Sequence, residues 1–186
     1  HLTDIIEKNG VRVSHIIENV LQLSRRDTTK QERIDVTEWL SGFIAEYEQT
    51  LQLDPASFRI DMDRNVGRID VEFDPSHLHQ VLWNLCDNAL KHGAGGGPVP
   101  VSLRIGRIAS TDRPYLEVTD SGTGIDPDER RRVFERFYRS PKAVAEGSGL
   151  GLSIVREIAQ SHDAQVQVLD AEGGSGVVVR VLFRSA

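Results

Sequence analysis

Three glycines alternate in the stretch EGSGLGLSI, residues 146–154, directly before a run with helical periodicity. Gly147, Gly149 and Gly151 leave the main chain free to bring N–H groups close to an anion, and the N-terminus of a helix favours negative charge. Ser148 or Ser153 offers a hydroxyl to start that helix. A flexible turn would have the same composition. The stretch is neither of two familiar phosphate motifs. No Gly-Lys-Ser or Gly-Lys-Thr closes it, as a P-loop requires, and no early strand–turn–helix unit surrounds it, as the dinucleotide fingerprint requires.

Two other groups could do related chemistry. In NLCDNALKH, Asn84, Asn88 and Lys91 are spaced four and then three apart and share one helix face, while Val81, Leu82, Leu85 and Ala89 supply an apolar one. Carboxamide oxygens are hard ligands suited to Mg²⁺, which takes few protein groups and keeps phosphate oxygens and water around it. A lysine adds a mobile point charge for phosphate. A solvated helix face has the same residue types. In DSGTGI, Asp120 follows a strand-like run, and its carboxylate can accept a hydrogen bond from an exocyclic amino group such as that of adenine. Gly122 and Gly124 would let a flat ring lie close to the backbone. An Asp-Ser-Gly turn is the plainer reading.

These groups need a scaffold, and the composition provides for one. The chain has 186 residues, 39% hydrophobic and 27% charged, which is too apolar for general disorder. Its net charge of −6 argues against a nucleic-acid binder. The single cysteine, Cys86, cannot form an internal disulfide and reads as a buried thiol in a reducing compartment. No apolar run approaches the roughly 18 residues of a membrane span, so no membrane contact is expected from this chain, which is placed in the cytoplasm. It opens on a histidine within an already periodic segment, so it reads as a piece of a longer protein whose absent part could hold an inner-membrane anchor.

From Leu2 to Arg26 the apolar residues keep a heptad, with Ile6, Val13 and Val20 at one core position and Leu2, Ile16 and Leu23 at the other. Such a stripe predicts a bundle helix that needs partners. The polar run from Arg25 to Asp35 marks a boundary, giving an opening unit 1–34 and a main unit 35–186. After it come a helix VTEWLSGFIAEYEQTL capped by Asp35 or Thr37, two strand-like pieces FRIDM and DVEFD separated by a turn, and a helix over 75–92 with Ser76 near its start. Strands over 101–108 and 115–119, a short charged helix PDERRRVFERFY, a helix after the glycine stretch and a terminal hairpin QVQVLD/VVVRVLF complete the reading. The triple arginine at 130–132 reads as a solvated face. The mixture predicts a two-layer α/β sandwich, a mixed sheet with helices on one face, preceded by a long bundle helix.

Residues 84–92, 120–125, FERFYR at 134–139 and 147–152 resemble, in order, the N, G1, F and G2 boxes of sensor histidine kinases, which share an ATPase superfamily with gyrase. The resemblance runs from Phe73 to the C-terminus. VRVSHIIENVLQLSR likewise resembles the second helix of the dimerisation domain in such kinases, with wording similar to the nitrogen-regulation or type IV pilus branch. The resemblance implies a histidine-kinase/gyrase-type ATPase fold, ATP and Mg²⁺ as cofactors, a response-regulator receiver domain as partner, and a homodimer in the full-length protein.

Carried over residue by residue, it makes Asn88 the Mg²⁺ ligand with Asn84 in support and Lys91 as the third catalytic residue. Lys91 and His92 would meet phosphates or ribose. Asp120 would bind the adenine amino group, with Gly122, Gly124 and Ile125 around the ring. Residues 139–149 would form a mobile lid anchored by Phe134 and Phe137. Gly147, Ser148, Gly149, Leu150, Gly151 and Leu152 would cradle the phosphates, with Arg139 or Lys142 reaching the γ-phosphate. Family members phosphorylate a histidine followed by an acidic residue on the preceding bundle helix, which is expected upstream. His1 is followed by Leu and His15 by Ile, so neither matches, and His77, His79 and His162 read as ordinary surface or partly buried residues. Gyrase-type enzymes carry a glutamate base where this chain has Asn84, which implies slow hydrolysis. Two alternatives stay open: a degenerate nucleotide-binding or dimerisation module, and an anti-sigma-type serine/threonine kinase, against which the opening helix argues.

Overall fold

The computed structural model describes residues 30–54, 57–62, 67–93, 101–141, 147–172 and 176–185. The bundle helix expected over 2–26 lies outside the described residues. The described chain begins with strand β1 (Glu32–Asp35) and helix α1 (Val36–Leu51). Asp35 ends the strand and caps the helix, its carboxylate accepting from the N–H groups of Thr37 and Glu38 at 3.0 and 3.3 Å. This satisfies two of the donors that a helix start leaves open. Val36, Leu40, Phe43, Ile44 and Tyr47 recur at helical spacing and are buried.

Strands β2 (Phe58–Met62) and β3 (Asp70–Phe73) lead to helix α2 (Pro75–His92). The α2 cap is Asp74: its carboxylate accepts from the N–H groups of Ser76 and His77, and Pro75 sits in the first turn. There a proline loses no hydrogen bond. Strands β4 (Val101–Arg107) and β5 (Pro114–Thr119), a 3₁₀ turn (Arg132–Phe134), helix α3 (Gly151–Ser161) and strands β6 (Gln165–Asp170) and β7 (Val177–Leu182) complete the order.

The main sheet has five strands in the order β2-β4-β5-β7-β6, mixed because β2 and β4 run parallel while the other pairs are antiparallel. Leu103, Ile105, Leu116, Val118, Val179 and Val181 face one core with Leu40, Leu78, Leu82, Leu85, Ile154 and Val155 of the three helices. This is the expected two-layer sandwich, and the terminal hairpin forms in register from Gln165↔Leu182 to Asp170↔Val177.

Three local expectations change. FRIDM and DVEFD are strands but not partners. FRIDM pairs with β4, whereas DVEFD pairs antiparallel with β1, Val71 opposite Ile34. Strand β1 was hidden in the polar run because a two-stranded edge sheet needs only Ile34 to turn inward, and one buried residue leaves no periodicity to read. The charged stretch PDERRRVFERFY is a set of turns with one 3₁₀ turn, of which Phe134 alone is buried. One inward side chain does not hold a helix against its own conformational entropy.

Candidate functional site

Helix α2 brings Asn84 and Asn88 against the first residue of α3. Asn84 is 7% exposed and donates through Nδ2 to the Gln80 carbonyl at 2.9 Å, which fixes its amide. A methyl group on Gly151 would lie 3.2 Å from Asn88 Nδ2 and 3.3 Å from Asn84 Oδ1. Glycine lets the two helices meet this closely, so the first turn of α3, with its open N–H groups, lies beside two carboxamides. Such a corner offers a phosphate both donors and dipole, and offers a hard cation carboxamide oxygens. Among the described residues no group of three His, Cys, Asp or Glu side chains could hold a metal. Lys91, in the last turn of α2, pairs with Asp87 one turn back, a partner the sequence reading missed.

Beyond the end of α2 the chain meets the turn after β5. A methyl group on Gly93 would lie 3.5 Å from Asp120 Cβ, and one on Gly122 would overlap the His92 carbonyl oxygen. Asp120 is 8% exposed; its Oδ1 accepts from the Gly122 N–H at 2.8 Å, and its own N–H donates to the Val177 carbonyl at 3.0 Å. Burial raises its pKa above the usual carboxylate value, opposed by the N–H groups of Gly122 and Val177 and the charge of His92. The His92 side chain itself is exposed, and Ile125 is half-buried against the core. Gly124 adopts φ +76 beside the Gly176 carbonyl, and Gly176, at φ +97, passes directly over the Asp120 main chain. Gly176 lay unnoticed in a stretch, AEGGSG, that reads as a hairpin turn.

The third part is the glycine stretch. Gly149 adopts φ +70, and its backbone approaches that of Phe137 and Tyr138 so closely that a methyl group would lie 2.7 to 2.9 Å from them. The Phe137 N–H donates to the Gly149 carbonyl at 2.9 Å. Phe134 is buried beneath the Arg156 guanidinium, but Phe137, at φ +64, is 70% exposed, so of the two aromatic anchors expected only Phe134 packs inward. Ser148 Oγ accepts from the Leu150 N–H at 3.4 Å, while Ser153 Oγ donates to the Leu150 carbonyl at 2.7 Å and so caps no N–H. Leu150 is buried and Leu152 half-buried in the core, which leaves only their main chains for a ligand. Gly147 and Arg139 are exposed; Lys142, with residues 143–146, lies outside the described residues. Of the triple arginine, Arg130 is not merely solvated: it pairs with Asp170.

His162, expected with His77 and His79 at the surface or partly buried, is buried almost completely. It is followed by Asp163, so a His-acid pair does occur in the chain. It is 2% exposed and stacks on Phe73 with ring centroids 3.8 Å apart. Gln31 Nε2 lies 3.1 Å from its Nδ1, which therefore accepts, and its Nε2–H is then left to donate to His77 Nδ1 at 2.9 Å. Burial and the neighbouring His77 push its pKa down to about 4, against the pull of Asp74 and Asp163. A ring so enclosed, with both nitrogens engaged, is not available to accept a phosphoryl group.

The described geometry thus sets the N-terminus of α3 against the second half of α2 and the turn after β5 against the C-terminal end of the same helix. Comparison with known proteins places it. Residues 73–185 match the family described as histidine kinase-, DNA gyrase B- and HSP90-like ATPase, and the chain belongs to that family. Domains of this kind bind ATP, and in this chain it is the histidine-kinase type of sensor kinases. The chain is 37% identical to the sensor protein kinase PilS of Pseudomonas aeruginosa over 94% of its own length and 32% of that protein's. It is 32% identical to the sensor histidine kinase WalK of Bacillus subtilis over 91% of its length and 28% of that protein's. It therefore spans about a third of the curated relatives it matches. Among solved structures, a mycobacterial sensor histidine kinase, MprB, superposes with TM-score 0.65 at 30% identity, covering 82% of this chain and 96% of that one. Full-length ShkA in complex with AMPPNP reaches 0.69 at 24% identity over 96% of this chain and 37% of that one, a likeness of fold alone. Among the described residues no helix is long and apolar enough to cross a membrane.

Proposed function

We propose that this chain is the ATP-binding catalytic part of a sensor histidine kinase. It holds Mg-ATP and presents the γ-phosphate to a histidine, from which the phosphoryl group passes to an aspartate of a response-regulator receiver domain. The observation that carries this reading is the contact of Gly151 with Asn84 and Asn88 on the second half of α2, with Asp120 buried against Gly93 just past the C-terminus of the same helix. A base held at Asp120 and phosphates held at the α3 N-terminus would then lie side by side along the last turns of α2. The bound nucleotide supplies the transferable phosphoryl group, and Mg²⁺ neutralises its charge.

Each residue then has a task. The Asp120 carboxylate accepts from the adenine amino group. Asn88 supplies a carboxamide oxygen to the metal, with Asn84 fixed beside it by Gln80. Lys91 releases Asp87 to meet a phosphate, and the main chain from Gly149 to Leu152 donates to the polyphosphate. Positioning and charge neutralisation carry most of such a transfer, so no covalent intermediate on this chain is required. Cytoplasmic location, and homodimerisation through the heptad of the opening unit 1–34, belong to the same proposal for the longer protein.

Calorimetry with ATP, in Mg²⁺ and in EDTA, tests the assignment. Binding should be much tighter with the metal than in EDTA, and Asn88→Ala should weaken Mg-ATP binding about 10–100-fold while leaving the weak residual binding in EDTA unchanged. Binding indifferent to metal, or none, would favour the degenerate-module reading.

A further inference from the structure

The turn before the glycine stretch is organised around one carboxylate. Glu129 Oε1 accepts the Tyr138 hydroxyl at 2.7 Å and its Oε2 accepts the Ser140 hydroxyl at 2.8 Å. Its main-chain carbonyl takes the N–H groups of Arg132 and Val133 at 2.8 and 2.9 Å. The Arg132 guanidinium lies over the Tyr138 ring, 4.4 Å from its centroid. The bond to Glu129 also raises the Tyr138 phenol pKa above its usual value. Two hydroxyls on one ionised acceptor hold the backbone from 138 to 140 across the turn, and bonds to an ionised acceptor are the stronger kind.

What that backbone touches gives the clamp a purpose. The Phe137 N–H, next to Tyr138, donates to the Gly149 carbonyl, and the Tyr138 carbonyl oxygen lies 2.9 Å from where a Gly149 methyl would be. Two residues beyond Gly149, Gly151 rests on Asn84 and Asn88. On its other side the same turn is tied to α3 by Arg136–Glu157 at 3.0 Å and by Arg156 over the Phe134 ring. The two hydroxyls bound by the carboxylate, Tyr138 and Ser140, belong to residues not assigned to ATP, yet they fix the segment against which the α3 N-terminus is set.

We propose that Glu129 is a positioning residue for the phosphate half of the site, acting through Tyr138 and Ser140 on the Gly149 turn. The proposal rests on the ATP reading above and deepens it: the adenine end at Asp120 does not depend on this clamp, and the phosphate end does. A role in general stability would weaken both ends together.

The test compares ATP and adenosine. Wild type and Glu129→Ala are titrated with Mg-ATP by calorimetry and with adenosine by NMR. The expected result is a fall in ATP affinity of about tenfold with adenosine affinity unchanged. Glu129→Gln, which keeps one carbonyl oxygen for one hydroxyl, should fall in between. Should Glu129→Ala not fold, the Tyr138→Phe/Ser140→Ala pair removes the same two bonds and is held to the same result. Equal losses for both ligands, or no loss for either, overturn the clamp. Wild type that binds no ATP overturns the nucleotide reading itself, and the clamp with it.

Discussion

Gly176 crosses the main chain of Asp120 so closely that a methyl group on it would overlap the Asp120 carbonyl oxygen and lie 2.8 Å from the carbonyl carbon. Its φ of +97 is equally closed to other residues. Gly176→Ala is therefore expected to cost roughly 2–4 kcal/mol of stability and to displace Asp120. Thermal unfolding checks this, and an unchanged melting temperature would show that β7 can enter the sheet by another route.

Burial holds the Asp120 carboxyl above the usual carboxylate range in the free protein. An amino group donating to it would favour the ionised form, so its pKa is lower with adenosine bound than without. Protonation then competes with binding: affinity is full at neutral pH and falls as the pH drops through the free protein's raised value. Adenosine titrations across the acid range should show that decline, starting at higher pH than for an exposed aspartate. Asp120→Asn should bind about 10–100-fold more weakly and lose the decline.

The His162 ring has the opposite chemistry. Its pKa falls from 6.5 to about 4 on folding, so between these values the unfolded chain binds the extra proton. The contribution of this group to stability is complete above pH 6.5 and is lost as the pH drops toward 4, by about 3 kcal/mol in all. Urea unfolding over that range checks the slope. His162→Gln can keep both hydrogen bonds without titrating, and should show a shallower loss.

An amide cannot take a proton from water, and the Asn84 amide is also committed to the Gln80 carbonyl. ATP turnover by this chain alone is expected well below about 1 s⁻¹. A phosphate-release assay checks it, and brisk release would point to a base elsewhere.

Incubation with ATP labelled at the γ-phosphate should leave this chain unlabelled. The histidine of the His-acid pair at 162–163 is enclosed, and His1 and His15 are not followed by an acidic residue. Stoichiometric acid-labile label would overturn that expectation.

Features legible in the sequence are those written in consecutive residues. Pro75 and the apolar positions from Leu78 to Ala89 mark α2, and alternation marks β6 and β7. The helix period puts Asn84 and Asn88 on one face, but it is the order of these groups with Asp120 and the glycines, which resembles the boxes of sensor histidine kinases, that reads as a nucleotide site. What escaped depends on partners distant in sequence. Strand β1 exists because Val71 lies across from Ile34, and Glu129 matters through residues nine and eleven positions later. Gly176 looks like any hairpin glycine until β7 is laid beside β5. His162 looks exposed after a helix, and only the approach of Phe73 and Gln31 buries it.

Strand β7 lies between β5 and β6, although both precede it in the chain. During synthesis the ribosome therefore delivers the keystone of this sheet last, after β5 has waited with one edge unpaired. Until Val177–Leu182 emerges, Asp120 lacks the Val177 carbonyl that its N–H is built to meet. A nascent chain cut short of that strand would be left with an open, adhesive sheet edge on β5, ready to pair with another chain.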